Sequence, residues 1–283
     1  MARIRTGSGR VFRLPTLAGL LLMAAAQTAV AVPIVITDTG DIADGFEDFR
    51  QLLGGANNGN GRGPIADGHR QINWDAGVVP FDMPGDFFNR VVPRGAEITT
   101  GGTGFAVSNP VATDPGAPDN RFDSINPTYG DEFQTFSAER LFTPVGSNVF
   151  DIGFFVPGSN TPATVSGFGA AFTDVDLADT TMIEFFNAAN DLLLREFVDP
   201  DPQGLSFLGA AFSEQDLFRV RVTAGTVALG PDDNPGAGVD VVALDDFLYG
   251  EPQASVPEPS TLALLLPAVA GLVMVGRRRR KST

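Results

Sequence analysis

The sequence of 283 residues contains no cysteine, and His69 is its only histidine. The lack of cysteine excludes disulfide bonds, thiolate zinc sites, iron–sulfur clusters and a cysteine nucleophile. A single histidine excludes any metal site that needs two imidazole ligands. His69 would also have to serve any Ser-His-acid triad, yet no G-x-S-x-G motif lies near it. We therefore predict no catalytic residues in this chain.

Lysine is almost absent as well, and the basic residues are concentrated at the two ends of the chain. Four of the 19 basic residues lie within the first 31 positions and five within the last seven, which include Lys281. The remaining ten, all arginine, share the middle of the chain with all 34 acidic residues. So acidic a body repels phosphate backbones, which argues against nucleic-acid binding. It is compatible with a solvated surface outside the cell and with divalent cations.

The first 31 residues have the three parts of a secretory signal peptide. Arginines between Arg3 and Arg13 form a basic segment, and residues 14–26 form an apolar one. Ala29 and Ala31 then place small residues at the two positions that a signal peptidase recognises. The sequence therefore predicts export through the Sec translocon, with cleavage after Ala31. An uncleaved membrane anchor is the alternative, although the apolar segment is short for one.

The end of the chain has three features in a fixed order. Pro257, Glu258 and Pro259 are followed by an apolar segment at residues 262–275 and by a basic tail at 277–281. At ~1.5 Å per residue, a helix of that length spans about 21 Å, which is short of a ~30 Å hydrocarbon core. The positive-inside rule would keep the basic cluster in the cytoplasm and the body outside. The cluster consists of Arg277, Arg278, Arg279 and Arg280.

This tail, residues 253–283 with its linker, resembles the PEP-CTERM protein-sorting signal. The resemblance rests on the Pro257-Glu258-Pro259 motif, the short apolar helix and the terminal arginines. It implies processing near that motif by an exosortase-type membrane peptidase in a Gram-negative bacterium, often one that makes exopolysaccharide. It also implies a transient inner-membrane anchor followed by delivery to the envelope surface or the extracellular space. A plain C-terminal membrane anchor is the alternative.

Residues 32–252 are predicted to form one all-β domain, an antiparallel β-sandwich that is jelly-roll-like. Short apolar runs alternate there with clusters of Gly, Pro, Asn and Asp. Only residues 45–53 have the pattern of a short helix. Residues 68–75, 168–176 and 242–250 are similar to parts of the body of many exported, uncharacterised PEP-CTERM proteins, which implies location but no chemistry. The predicted strands are 71–75, 96–100, 104–107, 131–136, 148–155, 165–172, 181–186, 192–198, 205–212, 217–223 and 239–249.

Aspartates in the second half of the body predict a structural calcium site. Calcium takes six to eight oxygen ligands, which sandwich domains supply from loops and terminal strands. The candidate ligands are Asp174, Asp176, Asp240, Asp245 and Asp246, and Asp232 and Asp233 precede the last predicted strand. Adjacent strand residues face opposite sides, so one of Asp245 and Asp246 should point inward. Its partner could equally be an arginine or backbone N–H groups.

Trp74 and Asp75 are the candidates for carbohydrate binding, because sugar sites combine an exposed aromatic ring with polar side chains. Packing of Trp74 in the core is the alternative. Together the sequence predicts an exported, non-catalytic protein of the cell envelope or extracellular matrix, associated with exopolysaccharide or biofilm. A carbohydrate-binding module is the main alternative. A polysaccharide-active hydrolase is a more remote one, because glycoside hydrolysis needs only two carboxylates.

Overall fold

The computed structural model describes residues 32–109 and 120–254, which form the predicted exported body. Ala29 and Ala31 of the predicted signal peptide lie outside the described residues. So do the predicted sorting motif Pro257–Pro259, the apolar segment and the basic cluster Arg277–Arg280. Among the helices in the described ranges, none has the length and apolar character needed to cross a membrane.

Antiparallel strands are the main regular structure of the described residues, as predicted, and helices are few and short. The helices are α1 (Ala43–Leu53), α2 (Phe87–Arg90) and α3 (Tyr129–Glu132), with 3-10 turns at Asn120–Phe122 and Pro235–Ala237. The strands of the first half are β1 (Ile34–Thr39), β2 (His69–Ile72), β3 (Ala96–Thr100), β4 (Gly104–Val107), β5 (Phe142–Val145) and β6 (Val149–Phe154). Those of the second half are β7 (Ala163–Thr164), β8 (Gly167–Val175), β9 (Met182–Phe186), β10 (Leu192–Phe197), β11 (Asp201–Ala211), β12 (Arg219–Thr223), β13 (Ala243–Gly250) and β14 (Gln253–Ala254).

Two large antiparallel sheets pack against each other across a common core. The first has the order β1-β11-β8-β13-β5-β4, with β2 also paired to β13, and the second has the order β10-β9-β12-β6-β3. Strands β7 and β14 form a separate two-stranded sheet. Aromatic rings connect the two large sheets, because the ring centroids of Phe142 and Phe150 are 5.4 Å apart and those of Phe154 and Phe168 are 6.5 Å apart. Much of the phenylalanine content therefore lies in this core.

The pattern of buried and exposed residues along a strand depends on whether one or both faces of its sheet are covered. In β12, Val220 and Val222 are buried and Arg219, Arg221 and Thr223 are partly exposed, so this strand alternates between the core and the solvent. Strand β8 is buried at every position because helix α1 covers the outer face of its sheet. The amphipathic α1 packs its buried apolar side chains against that face; these are Phe46, Phe49 and Leu53. A sheet covered on both sides has continuously apolar strands.

One predicted strand is wrong. Residues 131–136 do not pair in a sheet, and α3 (Tyr129–Glu132) occupies the start of this segment. Tyr129 and Phe133 are four residues apart, so their rings lie on the same side of the helical turn, with centroids 4.8 Å apart. They belong to a small separate apolar cluster with Phe122 and Leu141. This segment leads into the loop that carries Ser137.

Candidate functional site

The structure separates the predicted calcium ligands into two acidic clusters. Asp174 and Asp176 lie with Asp233, and we call these three residues the 174 cluster. Asp245 and Asp246 lie instead with Asp75 around the hydroxyl of Ser137, and we call these four residues the 245 cluster. The five predicted ligands therefore do not form one site.

The 174 cluster joins the end of one strand to a distant loop. Asp174 is the second-last residue of β8, and Asp176 follows directly after that strand. Asp233 lies in the connection between β12 and β13. One carboxylate oxygen from each residue can be chosen so that all three lie within 4.8 Å of one another. Asp174 has φ +64°, a left-handed conformation that aspartate tolerates better than most residues. This bend ends β8 and brings the two neighbouring carboxylates together.

Hydrogen bonding leaves part of the 174 cluster without a donor. The Gln203 N–H donates to Asp174 Oδ1 at 2.8 Å, and the Val241 N–H donates to Asp233 Oδ1 at 3.1 Å. Asp174 is 1% exposed, and its Oδ2 is buried with no hydrogen-bond partner among the described residues. An unpaired buried polar atom is unfavourable, and such atoms are uncommon in folded proteins.

Burial and like charge act together on the pKa values of this cluster. Burial, followed by the charges of Asp233, Glu132 and Asp240, raises the pKa of Asp174 to about 7. Burial and a hydrogen bond with Asp233 raise the pKa of Asp176 to about 8. Among the described residues, no arginine forms an ion pair with these carboxylates. The cluster therefore holds a proton or a cation more readily than isolated carboxylates do.

Asp240, another of the predicted ligands, lies beside the 174 cluster and fixes the backbone next to it. Asp240 Oδ1 accepts from the Asp176 N–H at 3.4 Å, and Oδ2 accepts from the Leu177 N–H at 3.3 Å and the Thr180 hydroxyl at 2.6 Å. Asp240 is fully buried. With both oxygens occupied by donors, this carboxylate holds the turn after β8 in place. The Thr180 Oγ1 also lies 2.6 Å from the Leu177 carbonyl, so its single proton is shared between two alternative acceptors.

The 245 cluster depends on an irregularity in β13. Leu244 pairs with Phe172 of β8, and Phe247 pairs with Ala170, so three steps along β13 match two along β8. This is a β-bulge with one extra residue at Asp245 and Asp246. Both carboxylates reach the Ser137 hydroxyl, and both residues are fully buried. The prediction that the two aspartates face opposite sides is therefore wrong.

Three carboxylates surround one hydroxyl in this cluster. The Ser137 Oγ lies 3.0 Å from Asp75 Oδ2, 3.2 Å from Asp245 Oδ1 and 2.7 Å from Asp246 Oδ1. A hydroxyl has a single proton to donate. The Phe136 N–H donates to Asp245 Oδ2 at 2.6 Å, the Ser137 N–H does so at 3.2 Å, and the Gln71 side-chain amide donates to Asp246.

Burial raises the pKa of Asp245 well above its usual range, and the neighbouring charge and hydrogen bond of Asp246 raise it further. Burial also raises the pKa values of Asp246 and Asp75. The cluster is thus a network of carboxyl groups held by backbone N–H groups, Ser137 and Gln71. Backbone N–H groups were one of the partners that the sequence left open for a buried aspartate, and the structure places Asp245 and Asp246 apart from the 174 cluster.

Trp74 belongs to the core, which corrects its predicted role in carbohydrate binding. It is 1% exposed and stacks on Phe142, with centroids 4.3 Å apart and an interplanar angle of 12°. Its indole N–H donates to the Asp245 carbonyl at 2.7 Å. Its ring therefore has no free face for a sugar. Asp75 is partly buried in the 245 cluster, where it also accepts from the Arg140 N–H at 3.1 Å.

His69 shows no arrangement for nucleophilic catalysis. It is 3% exposed, and its Nδ1 lies 3.2 Å from the Gly54 carbonyl, to which it donates in the tautomer protonated at Nδ1. Its Nε2 has no hydrogen-bond partner among the described residues, so no hydroxyl is paired with this imidazole there. A serine protease-like triad requires that pairing.

Two features of these sites were missed in the sequence. Ser137 carried no signal, because it is 62 residues from Asp75 and 109 from Asp246 along the chain. Asp233 had a weak signal in the Asp232-Asp233-Asn234 run, but nothing in the sequence distinguished it from Asp240. No family model, curated protein or solved structure matches this chain.

Proposed function

We propose that this protein is an exported, non-catalytic component of the cell envelope or extracellular matrix. In this proposal it is processed by an exosortase-type peptidase through the PEP-CTERM-like tail. Its signal peptide directs it through the Sec translocon, a jelly-roll-like sandwich forms the mature body, and the C-terminal helix anchors the precursor in the inner membrane. Association with exopolysaccharide or biofilm follows from the same resemblance.

The observation that carries the proposal is the short distance, along the sequence, between the last strand of the body and the tail. Strand β14 ends at Ala254, and the Pro257-Glu258-Pro259 motif begins three residues later. A peptidase that cuts near this motif would therefore remove the apolar segment and basic cluster without cutting a strand. The described body already has its two sheets and their shared core before that point.

The carboxylates support a non-catalytic body. Glycoside hydrolysis needs a pair of carboxyl groups on either side of a substrate in an accessible cleft. Asp174, Asp240, Asp245 and Asp246 are each 1% exposed or less, and their hydrogen bonds hold loops and turns of the protein itself. Such groups stabilise the fold and have no access to a polysaccharide chain.

The carbohydrate-binding alternative has less support from the aromatic residues. Among the described aromatic side chains, Phe197 is the most exposed, at 39%, and the others are buried or partly buried. Trp74, Tyr129 and Tyr249 are buried. A glycan array with the purified protein tests this alternative, and specific binding would replace the purely structural proposal with a lectin-like one.

Intact-mass spectrometry of the protein from its native host tests the main proposal. We expect the mature species to begin near Val32 and to lack the residues after about Pro257. In a strain without the sorting peptidase, we expect the C-terminal segment to be retained. Retention of the apolar segment in both strains would indicate a conventional membrane anchor and would remove the main support for sorting to the envelope.

A further inference from the structure

The 174 cluster has the composition of a site for a hard cation. Its three possible ligands are all carboxylates, and no nitrogen or sulfur ligand accompanies them. Hard divalent cations such as Ca²⁺ prefer oxygen ligands, whereas zinc and copper favour sites with imidazole or thiolate. The protein has no cysteine, and its one histidine, His69, is in a different part of the fold beside Gly54.

A buried oxygen without a donor provides an independent indication of a ligand. Asp174 is 99% buried, and its Oδ2 has no hydrogen-bond partner among the described residues. The other oxygen of this carboxylate accepts from the Gln203 N–H, so the backbone already fixes the group in place. A cation would satisfy the remaining oxygen and would offset the repulsion among the three carboxylates.

The spacing of the oxygens agrees with the size of calcium. Ca²⁺ binds oxygen at about 2.3–2.6 Å, so two ligands on opposite sides of the ion lie at most ~5 Å apart. The three oxygens are within 4.8 Å of one another, a separation that two ligands of one Ca²⁺ can have. Mg²⁺ binds at about 2.0–2.1 Å and requires a nearly ideal octahedron. Asp176 and Asp233 are partly exposed, which leaves a side of the cluster open to water ligands.

We propose that Asp174, Asp176 and Asp233 bind a calcium ion that joins the end of β8 to the loop before β13. Asp240 is a positioning residue for this site, because it fixes the backbone of Asp176 and Leu177. With three protein carboxylates and an open side, the expected Kd is ~10⁻⁴–10⁻³ M, the range of extracellular calcium modules. The inference concerns the folded body and does not depend on the proposed route of export.

Calorimetric titration and thermal unfolding of the full-length protein test the proposal. The chain is treated with EDTA, dialysed into 150 mM NaCl to screen non-specific attraction to its acidic surface, and titrated with CaCl₂ or MgCl₂. We expect saturable binding of one Ca²⁺ and a rise in Tm with CaCl₂, because a ligand that binds only the native state stabilises it. Equal effects of CaCl₂ and MgCl₂ would overturn the assignment to calcium.

Asp176→Asn is the test variant and Asp179→Asn its matched control. Asp176 is partly exposed, so the variant should fold, and circular dichroism checks this. Asp179 lies in the same turn, is exposed and is outside the cluster, so its substitution removes the same charge without removing a ligand. We expect Asp176→Asn to weaken Ca²⁺ binding at least tenfold and Asp179→Asn to leave it unchanged.

Two further results would overturn the proposal. One is the absence of calcium binding and of any Tm change in the wild-type protein, which would mean that the cluster is held by shared protons alone. The other is an equal response of Asp176→Asn and Asp179→Asn, which would mean that calcium acts through general surface charge. Neither result bears on the mass-spectrometric test of sorting.

Discussion

Arg70 and Glu251 form a buried, bidentate ion pair that joins strand β2 to the residue after β13. Arg70 Nε donates to Glu251 Oε2 at 2.5 Å, and Nη2 donates to Oε1 at 2.6 Å. The side chains are 0% and 2% exposed. Arg70 Nη1 also donates to the carbonyls of Gly59, Gly61 and Pro93, at 2.8, 2.9 and 3.1 Å. One guanidinium therefore holds two loops and the residue that follows β13.

We expect Glu251→Gln to be strongly destabilising, because it leaves the charge of Arg70 buried without its counter-ion. Breaking a buried pair by removing one partner lowers the free energy of unfolding by about 3–5 kcal/mol. Glu251 also accepts from the Asn58 side chain and the Ile65 N–H, and the amide keeps only part of this acceptor capacity. Urea unfolding monitored by circular dichroism measures the change.

Glu47→Gln is the matched control for this prediction. Glu47 forms an ion pair with Arg50 on α1, but its side chain is 48% exposed. Exposed pairs contribute little to stability, so this variant should unfold close to the wild-type midpoint. Equal destabilisation by the two substitutions would contradict the special role of the buried pair.

The 245 cluster predicts a specific dependence of stability on pH. Burial and the charge of Asp246 raise the folded-state pKa of Asp245. Burial also raises the pKa of Asp246, and the positive charge of Arg50 opposes part of that rise. Above about pH 4 the unfolded chain ionises these carboxyls while the folded cluster retains protons. The folded state then binds more protons, so the stability that this cluster contributes is greatest below about pH 4 and falls as pH rises towards the raised pKa.

Asp245→Asn should flatten this dependence, because the amide resembles the protonated carboxyl and keeps an acceptor for the Phe136 N–H. Relative to wild type, we expect the variant to gain stability as pH rises from 4 to 8, by at most roughly 1.4 kcal/mol per pH unit. Thermal melts across this range provide the measurement, with the exposed Asp48→Asn as control. Parallel curves for wild type and Asp245→Asn would show that Asp245 is already ionised in the fold.

Much of the strand content could be predicted because it depends on local composition and periodicity. Strands β3 and β4 have the predicted bounds. Strand β1 was not predicted: it lies at a sheet edge with mostly exposed residues, so it lacks a strong apolar period. Strand β5 was also missed, and it contains Pro144, which weakens a strand signal.

The sites were less predictable because they depend on geometry that local patterns do not encode. A β-bulge, which the sequence does not reveal, places Asp245 and Asp246 against the same hydroxyl. The 174 cluster needs Asp233, which is 57 positions from Asp176 and is brought near it by the loop before β13. The sequence predicted that aspartates in this half of the body would gather, but it did not show which of them lie together.

The close packing of α1 on its sheet predicts that Gly209 cannot be enlarged. A Cβ at Gly209 would lie 2.8 Å from Phe49 Cδ2, and the ring is fully buried. Overpacking of this kind lowers stability by about 1–3 kcal/mol. We expect Gly209→Ala to lower the denaturation midpoint, whereas Gly101→Ala, which meets nothing within 4 Å, should be nearly neutral. A wild-type midpoint for Gly209→Ala would mean that α1 moves freely on the sheet.

Trp74 is the only tryptophan, so its fluorescence reports directly on whether the ring is buried or offers a sugar-binding face. Because Trp74 stacks on Phe142 and donates to the Asp245 carbonyl, we expect native emission that is blue-shifted relative to the unfolded chain and resistant to acrylamide. Addition of polysaccharide should leave the emission unchanged, whereas unfolding in urea should shift it to the red. Saturable quenching by a glycan, with the protein still folded by circular dichroism, would show that the ring is accessible and would restore the carbohydrate-binding alternative.

Trp74→Phe tests the structural role of the same residue. The variant keeps an aromatic ring against Phe142 but leaves the buried Asp245 carbonyl without the indole N–H donor. We therefore expect a loss of about 1–3 kcal/mol in stability.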